Sequence, residues 1–329
     1  MCPPHMKMEY AEAVKLALQQ EMRRDDRVYC IGEDIVLGVP FGCTKGLIDE
    51  FGPARVLNAP ISEAAIVGSA MGAAMTGLIP VVDMHFADLV TCAMDEVANQ
   101  IAKSRYMFGG QIDCPLTLRM PYGIGRSGGG HHSNSVEAWF VNIPGLKVCI
   151  PSTPADVFGL LKTAIRDPDP VLVFEHRGLY RVTGEVPDDN ALVPLGRADV
   201  KRPGRDVTVI ATARMVHESL AAAERLATEG IDVEVLDPRS LVPLDRDALA
   251  ASVARTHRVV IAEEGPMRGS TGAWLAWVVM EDSFDELDAP IARVAAPNVP
   301  IPFSPPLEAF VTPDADDVVA AVRQVMKGA

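Results

Sequence analysis

Short runs rich in Val and Ile alternate along the chain with longer stretches whose apolar residues recur at helical spacing, and nothing else in the sequence limits the fold as much. Residues 28–31, 79–84, 115–120, 146–150 and 171–174 read as strands, and residues 9–24, 63–76, 91–106 and 154–166 as helices. Strands separated by helices of this length need crossover connections, which implies βαβ units and a parallel sheet covered on both faces. Over residues 182–203 the texture changes to Gly, Pro, Asp and Asn, which reads as a linker. Beyond it come β-branched runs at 207–211, 233–236 and 259–262, helices at 215–230 and 245–256, a Pro-rich stretch at 297–306 and a last helix over 314–326. The expected architecture is therefore α/β in two domains, residues 1–190 and 191–329. No internal repeat is present.

The 329 residues are enough for two such cores. With 30 Lys plus Arg against 44 Asp plus Glu the formal net charge is −14, so the footprint of a nucleic-acid binder is missing and anionic membrane surfaces are disfavoured. Hydrophobic residues make up 48 % but aromatics only 5 %, and the mean hydropathy of +0.15 is high for a chain that must cover itself with water. That excess points to large subunit interfaces. Residues 64–82 carry no charge over nineteen positions, but Gly68, Gly72, Gly77 and Pro80 break the run, so a buried helix over 63–76 leading into a strand is expected, not a membrane span. Cys2, Cys30, Cys43, Cys92, Cys114 and Cys149 stand singly, without a CxxC pair, and read as reduced, mostly buried thiols. With no apolar leader flanked by basic residues, the cytoplasm is the expected compartment.

Chemistry concentrates in one glycine-rich loop, Gly123-Ile124-Gly125-Arg126-Ser127-Gly128-Gly129-Gly130-His131-His132. It is formally GxGxxG, but it lies mid-chain and no acidic residue ends a second strand at the distance a dinucleotide site needs. It is also formally GxSxG through Ser127, yet three glycines and two histidines follow, leaving no helix to hold a nucleophile elbow. His131 and His132 lack a third metal ligand at useful spacing. Two readings stay open for them, loop histidines bonded to backbone or a catalytic imidazole, since loops at the C-terminal ends of parallel strands are where active sites form. Glu63 follows Pro60-Ile61-Ser62 at the start of the apolar helix, with Ser62 placed as N-cap. A carboxylate there gains about 0.3–1 kcal/mol from the helix dipole, and on spacing alone that is the simpler reading. The functional alternative is a part-buried carboxyl able to hold or give a proton near neutral pH.

Taken together, several segments resemble one family: Gly32-Glu33-Asp34, Thr44-Lys45-Gly46-Leu47, Pro60-Ile61-Ser62-Glu63, Phe86-Ala87-Asp88, Arg105-Tyr106-Met107-Phe108-Gly109-Gly110, His132-Ser133, Pro144-Gly145-Leu146-Lys147-Val148 and Asp237-Pro238-Arg239-Ser240-Leu241. In family order and over nearly the whole chain, they are similar to the β subunit of the thiamine-diphosphate-dependent 2-oxo acid dehydrogenases of the pyruvate, branched-chain and acetoin type. The resemblance implies a pyrimidine-binding domain followed by a transketolase C-terminal-type domain. It also implies an α subunit that supplies the diphosphate and Mg²⁺ site through a GDG pattern, and no GDG occurs here. The implied assembly is a heterotetramer of two α and two β chains, working on a small 2-oxo acid or acetoin and passing the acyl group to a lipoyl-bearing acyltransferase.

In that family a glutamate beside pyrimidine N1′ promotes the imino tautomer of the cofactor, and Glu63 matches it. A histidine that protonates the opening dithiolane matches His132. Ile61, His85 and Leu89 fall where the family lines the aminopyrimidine pocket, and the carbonyls of Leu116, Ala164, Asp167 and Asp169 where it holds a structural K⁺. The chain departs from the pattern at Leu89, where an aromatic is frequent, at His85, where Met or Gln is usual, and at Asn134, where Gln is usual. Losing the aromatic removes a stacking surface and His85 adds a titratable group, so the substrate or reaction could differ. Three alternatives follow: a transketolase-like transfer of a two-carbon unit to another acceptor, a non-catalytic binding subunit of the same fold, and a dinucleotide-binding oxidoreductase.

Overall fold

The computed structural model describes residues 5–187 and 191–327, and the chain forms two compact units. One consists of the chain up to Tyr122 together with Trp139–Leu195, and the other of Gly123–Ala138 together with the chain from Gly196 onward.

In the first unit β1 (His5–Glu9) leads into α1 (Tyr10–Arg24), then β2 (Val28–Glu33), α2 (Leu47–Phe51), β3 (Val56–Ala59), α3 (Glu63–Met75) and β4 (Ile79–Asp83). After a broken helical stretch ending in α4 (Ser104–Met107) come β5 (Thr117–Tyr122), α5 (Ala138–Val141), β6 (Lys147–Cys149), α6 (Pro154–Arg166), β7 (Val171–His176) and β8 (Thr183–Pro187). Its parallel strands run in the order β6-β7-β5-β4-β2-β3. The central strands β4, β5 and β7 are almost wholly buried, as continuous apolar runs must be when helices cover both faces, and α1 packs against α6 on one side. Gly32 is required where β2 and β4 meet, because a Cβ there would lie 2.7 Å from the Asp83 carbonyl oxygen.

The second unit holds β9 (Asp199–Arg202), β10 (Val207–Ala211), α7 (Arg214–Ala227), β11 (Val233–Asp237), β12 (Ser240–Val242), α8 (Arg246–Thr256) and β13 (Val259–Pro266). It ends with α9 (Thr271–Ser283), β14 (Ala292–Ala296), α10 (Pro305–Val311) and α11 (Ala315–Met326). The sheet order is β14-β13-β10-β11-β9, parallel except for β9. Its two faces carry separate cores, one under α7 and α11 and the other under α8 and α9.

The structure departs from the sequence reading in four places. The stretch read as a linker over 182–203 contains β8, antiparallel to β1, and β9, antiparallel to β11. Both are half-exposed edge strands, where polar residues and Pro are tolerated, so their composition resembles that of a loop. The single helix expected over 91–106 is instead a 3₁₀ segment Ala87–Ala93, a π segment Glu96–Ile101 and α4. Apolar spacing does not distinguish these hydrogen-bond registers. Helix α3, expected to be buried, covers only one face with Ile66, Val67, Ala70 and Ala74, leaving Ala65, Ser69 and Gly72 exposed. Ser62 occupies the N-cap of α3 but its side chain makes no capping hydrogen bond. Of the cysteines, Cys30, Cys43, Cys114 and Cys149 are buried and free, Cys92 is exposed and free, and Cys2 lies outside the described residues. Among the described residues no helix is long and apolar enough to cross a membrane.

Candidate active-site residues

Three neighbouring strands of the first unit, β4, β2 and β3, deliver candidate side chains to one edge of the sheet, the C-terminal edge where ligand sites form in α/β folds. Glu33 is the last residue of β2, Ile61 and Glu63 follow β3, and His85 and Leu89 follow β4. Glu63 is the first residue of α3 and only 9 % exposed, and no hydrogen bond to its carboxyl is made within the described residues. Two residues before it Ile61 is 83 % exposed, an apolar side chain held in the open. A carboxyl and an exposed apolar side chain at this edge are a donor set that would fit the pyrimidine half of thiamine diphosphate.

His85 is held in the left-handed region at φ 60°, with its N–H donating to Asp83 Oδ1 at 3.0 Å. Asp83 is itself paired through Oδ2 with Arg119 at 2.7 Å. Arg119 is buried, and its guanidinium forks onto both oxygens of buried Glu175 at 2.7 Å, which also accepts from the Tyr180 hydroxyl at 2.8 Å. Burial alone disfavours the Arg119 charge, but the Glu175 and Asp83 carboxylates hold it well above its ordinary value. Replacing Arg119 by Met strands two carboxylates, and a loss of about 3–5 kcal/mol of stability in urea unfolding is expected. A loss under about 1 kcal/mol would mean that the network relaxes without cost.

Glu33 is the candidate that the sequence reading passed over, although Gly32-Glu33-Asp34 is one of the resembling segments. Burial, and then the neighbouring Glu63 charge, push its carboxyl up, with His85 pulling it the other way. That resembling segment is the one signal for it in the sequence; its placement on the edge shared with Glu63 is what makes it a candidate.

His132 lies in the second unit, in the loop Gly123–Ala138, which the sequence alone does not connect with that unit. The loop turns through successive left-handed residues, Arg126 and Ser127 at φ 57° and 54°, and then forms only the 3₁₀ turn Gly129–His131. No α-helix starts after Ser127, so the loop has the form of neither a dinucleotide site nor a nucleophile elbow. His132 is half-buried, its backbone N–H donates to the Gly129 carbonyl at 3.3 Å, and the Asn134 side-chain amide donates to the Gly130 carbonyl at 2.8 Å.

Leu116, Ala164, Asp167 and Asp169 gather at the opposite, N-terminal edge of the first sheet. The Leu116 carbonyl accepts from Val171 at 3.0 Å and that of Ala164 from Asp167 at 3.2 Å. The carboxylates of Asp167 and Asp169 turn to the Lys147 ammonium at 2.6 and 3.3 Å. Among the described residues no group of three or more His, Cys, Asp or Glu could hold a metal ion.

Two α/β units in this order, the first with an acid at the C-terminal edge of its parallel sheet, match a transketolase-type chain. Residues 6–183 match the family described as transketolase, pyrimidine binding domain, and residues 196–318 the transketolase C-terminal domain. The chain is 45 % identical to the acetoin:2,6-dichlorophenolindophenol oxidoreductase subunit beta of Bacillus subtilis (strain 168), over 96 % of each. It is 44 % identical to the 2-oxoisovalerate dehydrogenase subunit beta of the same organism, over 97 % of this chain and 98 % of the relative. Identity to the pyruvate dehydrogenase E1 component subunit beta of Rickettsia felis is 40 %, over 97 % and 98 %. Among solved structures, a split-gene transketolase titled an inactive beta4 tetramer superposes with a TM-score of 0.80 at 26 % identity, covering 97 % of this chain and 98 % of that one. The chain belongs to the transketolase-like family of E1 β subunits of the pyruvate, acetoin and branched-chain 2-oxo acid dehydrogenases, as the resemblance in its sequence implied.

Proposed function

We propose that this chain is the β half of a split active site that decarboxylates a small 2-oxo acid, or cleaves acetoin, and passes the acyl group to a lipoyl group on an acyltransferase. The observation that carries this reading is Glu63: a glutamate only 9 % exposed, its carboxyl without a hydrogen-bond partner in the described residues, at the C-terminal edge of the sheet. Bound thiamine diphosphate would supply a nucleophilic carbon that adds to the substrate carbonyl and accepts the electron pair released on cleavage. Glu63 holds and returns a proton at the pyrimidine nitrogen. Ile61, His85 and Leu89 orient the ring and exclude water from it. His132 gives a proton to the acceptor sulfur as the dithiolane opens.

A partner α subunit, in an assembly of two α and two β chains, belongs to the same reading. Supporting it are the uncharged outer face of α3, with Ala65, Ser69 and Gly72 open to solvent, and the exposed Trp277 and Phe284 of the second unit. Mg²⁺ would be held by that partner. A structural K⁺ would use the carbonyls of Leu116, Ala164, Asp167 and Asp169; those of Leu116 and Ala164 keep a lone pair beyond the hydrogen bond each accepts. The unpaired cysteines suit a reducing cytoplasm.

The test is turnover by this chain co-expressed with an α-like partner, over a panel of 2-oxo acids and acetoin, with a lipoyl domain or dichlorophenolindophenol as acceptor. Acyl-lipoyl formation from at least one of them is expected. Transfer of a two-carbon unit to a sugar aldehyde, with no lipoyl acylation, would favour the transketolase-like alternative.

A further inference from the structure

The Gly123–Ala138 loop is seated on the second unit by carboxylates that accept its backbone N–H groups. Glu264 Oε1 takes the Ile124 N–H at 2.5 Å, and the two Glu308 oxygens take that of Ser127 at 3.1 Å. Glu263, beside Glu264 on β13, accepts from Ser270 Oγ at 2.5 Å, Thr271 Oγ1 at 3.0 Å and the Gly272 N–H at 2.8 Å. Two guanidiniums serve this acidic cluster and both are committed. Arg293 of β14 pairs with Glu263 at 2.6 Å, and Arg214 of α7 pairs with Glu264 at 3.0 Å and with Glu218 at 2.6 Å. A further buried carboxyl is Glu137, at the foot of the loop, only 2 % exposed and with Oε2 lacking any hydrogen-bond partner. The loop's other charged and titratable groups are Arg126 and His131, both exposed, and His132, which is half-buried.

We propose that Glu137 is a positioning residue for His132: its buried carboxyl carries the proton that allows the Gly123–Ala138 loop to sit on the second unit, and ionisation loosens that seat. The proposal rests on the reading that His132 acts in acyl transfer. The carboxyls here outnumber the two guanidiniums, and Arg293 and Arg214 are already paired with others of them, so an ionised Glu137 would be a buried negative charge that neither answers; a proton on Glu137 removes it. Burial, and after it the Glu263 and Glu264 charges, push Glu137 up to about 8, outweighing a hydrogen bond from its own amide. The seated loop thus binds one more proton than the released loop at every pH between the ordinary carboxyl value of 4.5 and about 8. Across that window rising pH weakens the seat by about tenfold per pH unit, and above it the seat weakens no further.

Hydrogen–deuterium exchange of the full chain, expressed as protection factors for the 123–138 segment from pH 5 to 9, tests this. Protection in the wild type falls about tenfold per pH unit and levels off above about 8. In Glu137→Gln, whose amide has nearly the shape of the protonated acid, it is flat. A flat wild-type profile overturns the proposal even if the variant does not fold, and so does a profile in Glu137→Gln that falls like the wild type. Acyl transfer to a lipoyl domain by the reconstituted complex, followed over the same pH range, separates the two readings. If loop protection titrates with Glu137 while acyl transfer ignores it, the role given to His132 fails and that of Glu137 as the seat of the loop stands.

Discussion

Glu63→Gln lowers turnover by about 10²–10⁴-fold in the reconstituted complex, with either a lipoyl domain or dichlorophenolindophenol as acceptor. The amide keeps the size and burial of the side chain, so the fold and the Arg119 network should be unaffected. What it loses is the proton that a carboxyl shares with a ring nitrogen, and that proton is needed before any acceptor is involved. The loss therefore does not depend on the acceptor. It should appear in kcat more than in KM, because the interaction strengthens on the way to the transition state. Glu63→Gln with wild-type turnover would leave only the helix-start role, in which a carboxylate contributes about 0.3–1 kcal/mol to α3 and nothing to chemistry. The chain would then be a binding subunit that keeps the fold.

His132→Ala is expected to separate the two acceptors. Acyl transfer to the lipoyl domain falls by about 10²–10⁴-fold, since the leaving sulfur no longer receives a proton as the dithiolane opens. Reduction of dichlorophenolindophenol, which requires no disulfide to open, changes by less than about tenfold, because His132 is absent from the earlier steps. Equal losses with both acceptors would place His132 in substrate binding or decarboxylation. No loss with either would return it to the plain reading, a loop histidine whose backbone N–H donates to the Gly129 carbonyl.

The fold was legible because parallel strands buried on both faces leave unbroken runs, such as Val171–His176, separated by helices with recognisable limits, such as Pro154–Arg166. Edge strands carry no such mark. The half-exposed Thr183–Pro187 and Asp199–Arg202 have the composition of loops, and they become strands only through β1 and β11. The place of Glu63 at the start of α3 was legible because Ser62-Glu63 precedes an apolar helical run. Glu33 and Glu137 were not, because nothing in a lone glutamate tells which other carboxylates will surround it. The attachment of the His132 loop was hidden as well, since it depends on Glu264 and Glu308, 140 and 181 residues away from the N–H groups they hold.

The half-site claim is tested most directly by calorimetric titration of thiamine diphosphate with Mg²⁺ into this chain alone and into its mixture with an α-like partner. If the proposed half-site is right, the chain alone should give no saturable heat, because the diphosphate would be held by the partner. The mixture should give a saturable isotherm that Glu63→Gln weakens. Tight binding by the chain alone, or a mixture that never binds, would contradict the account.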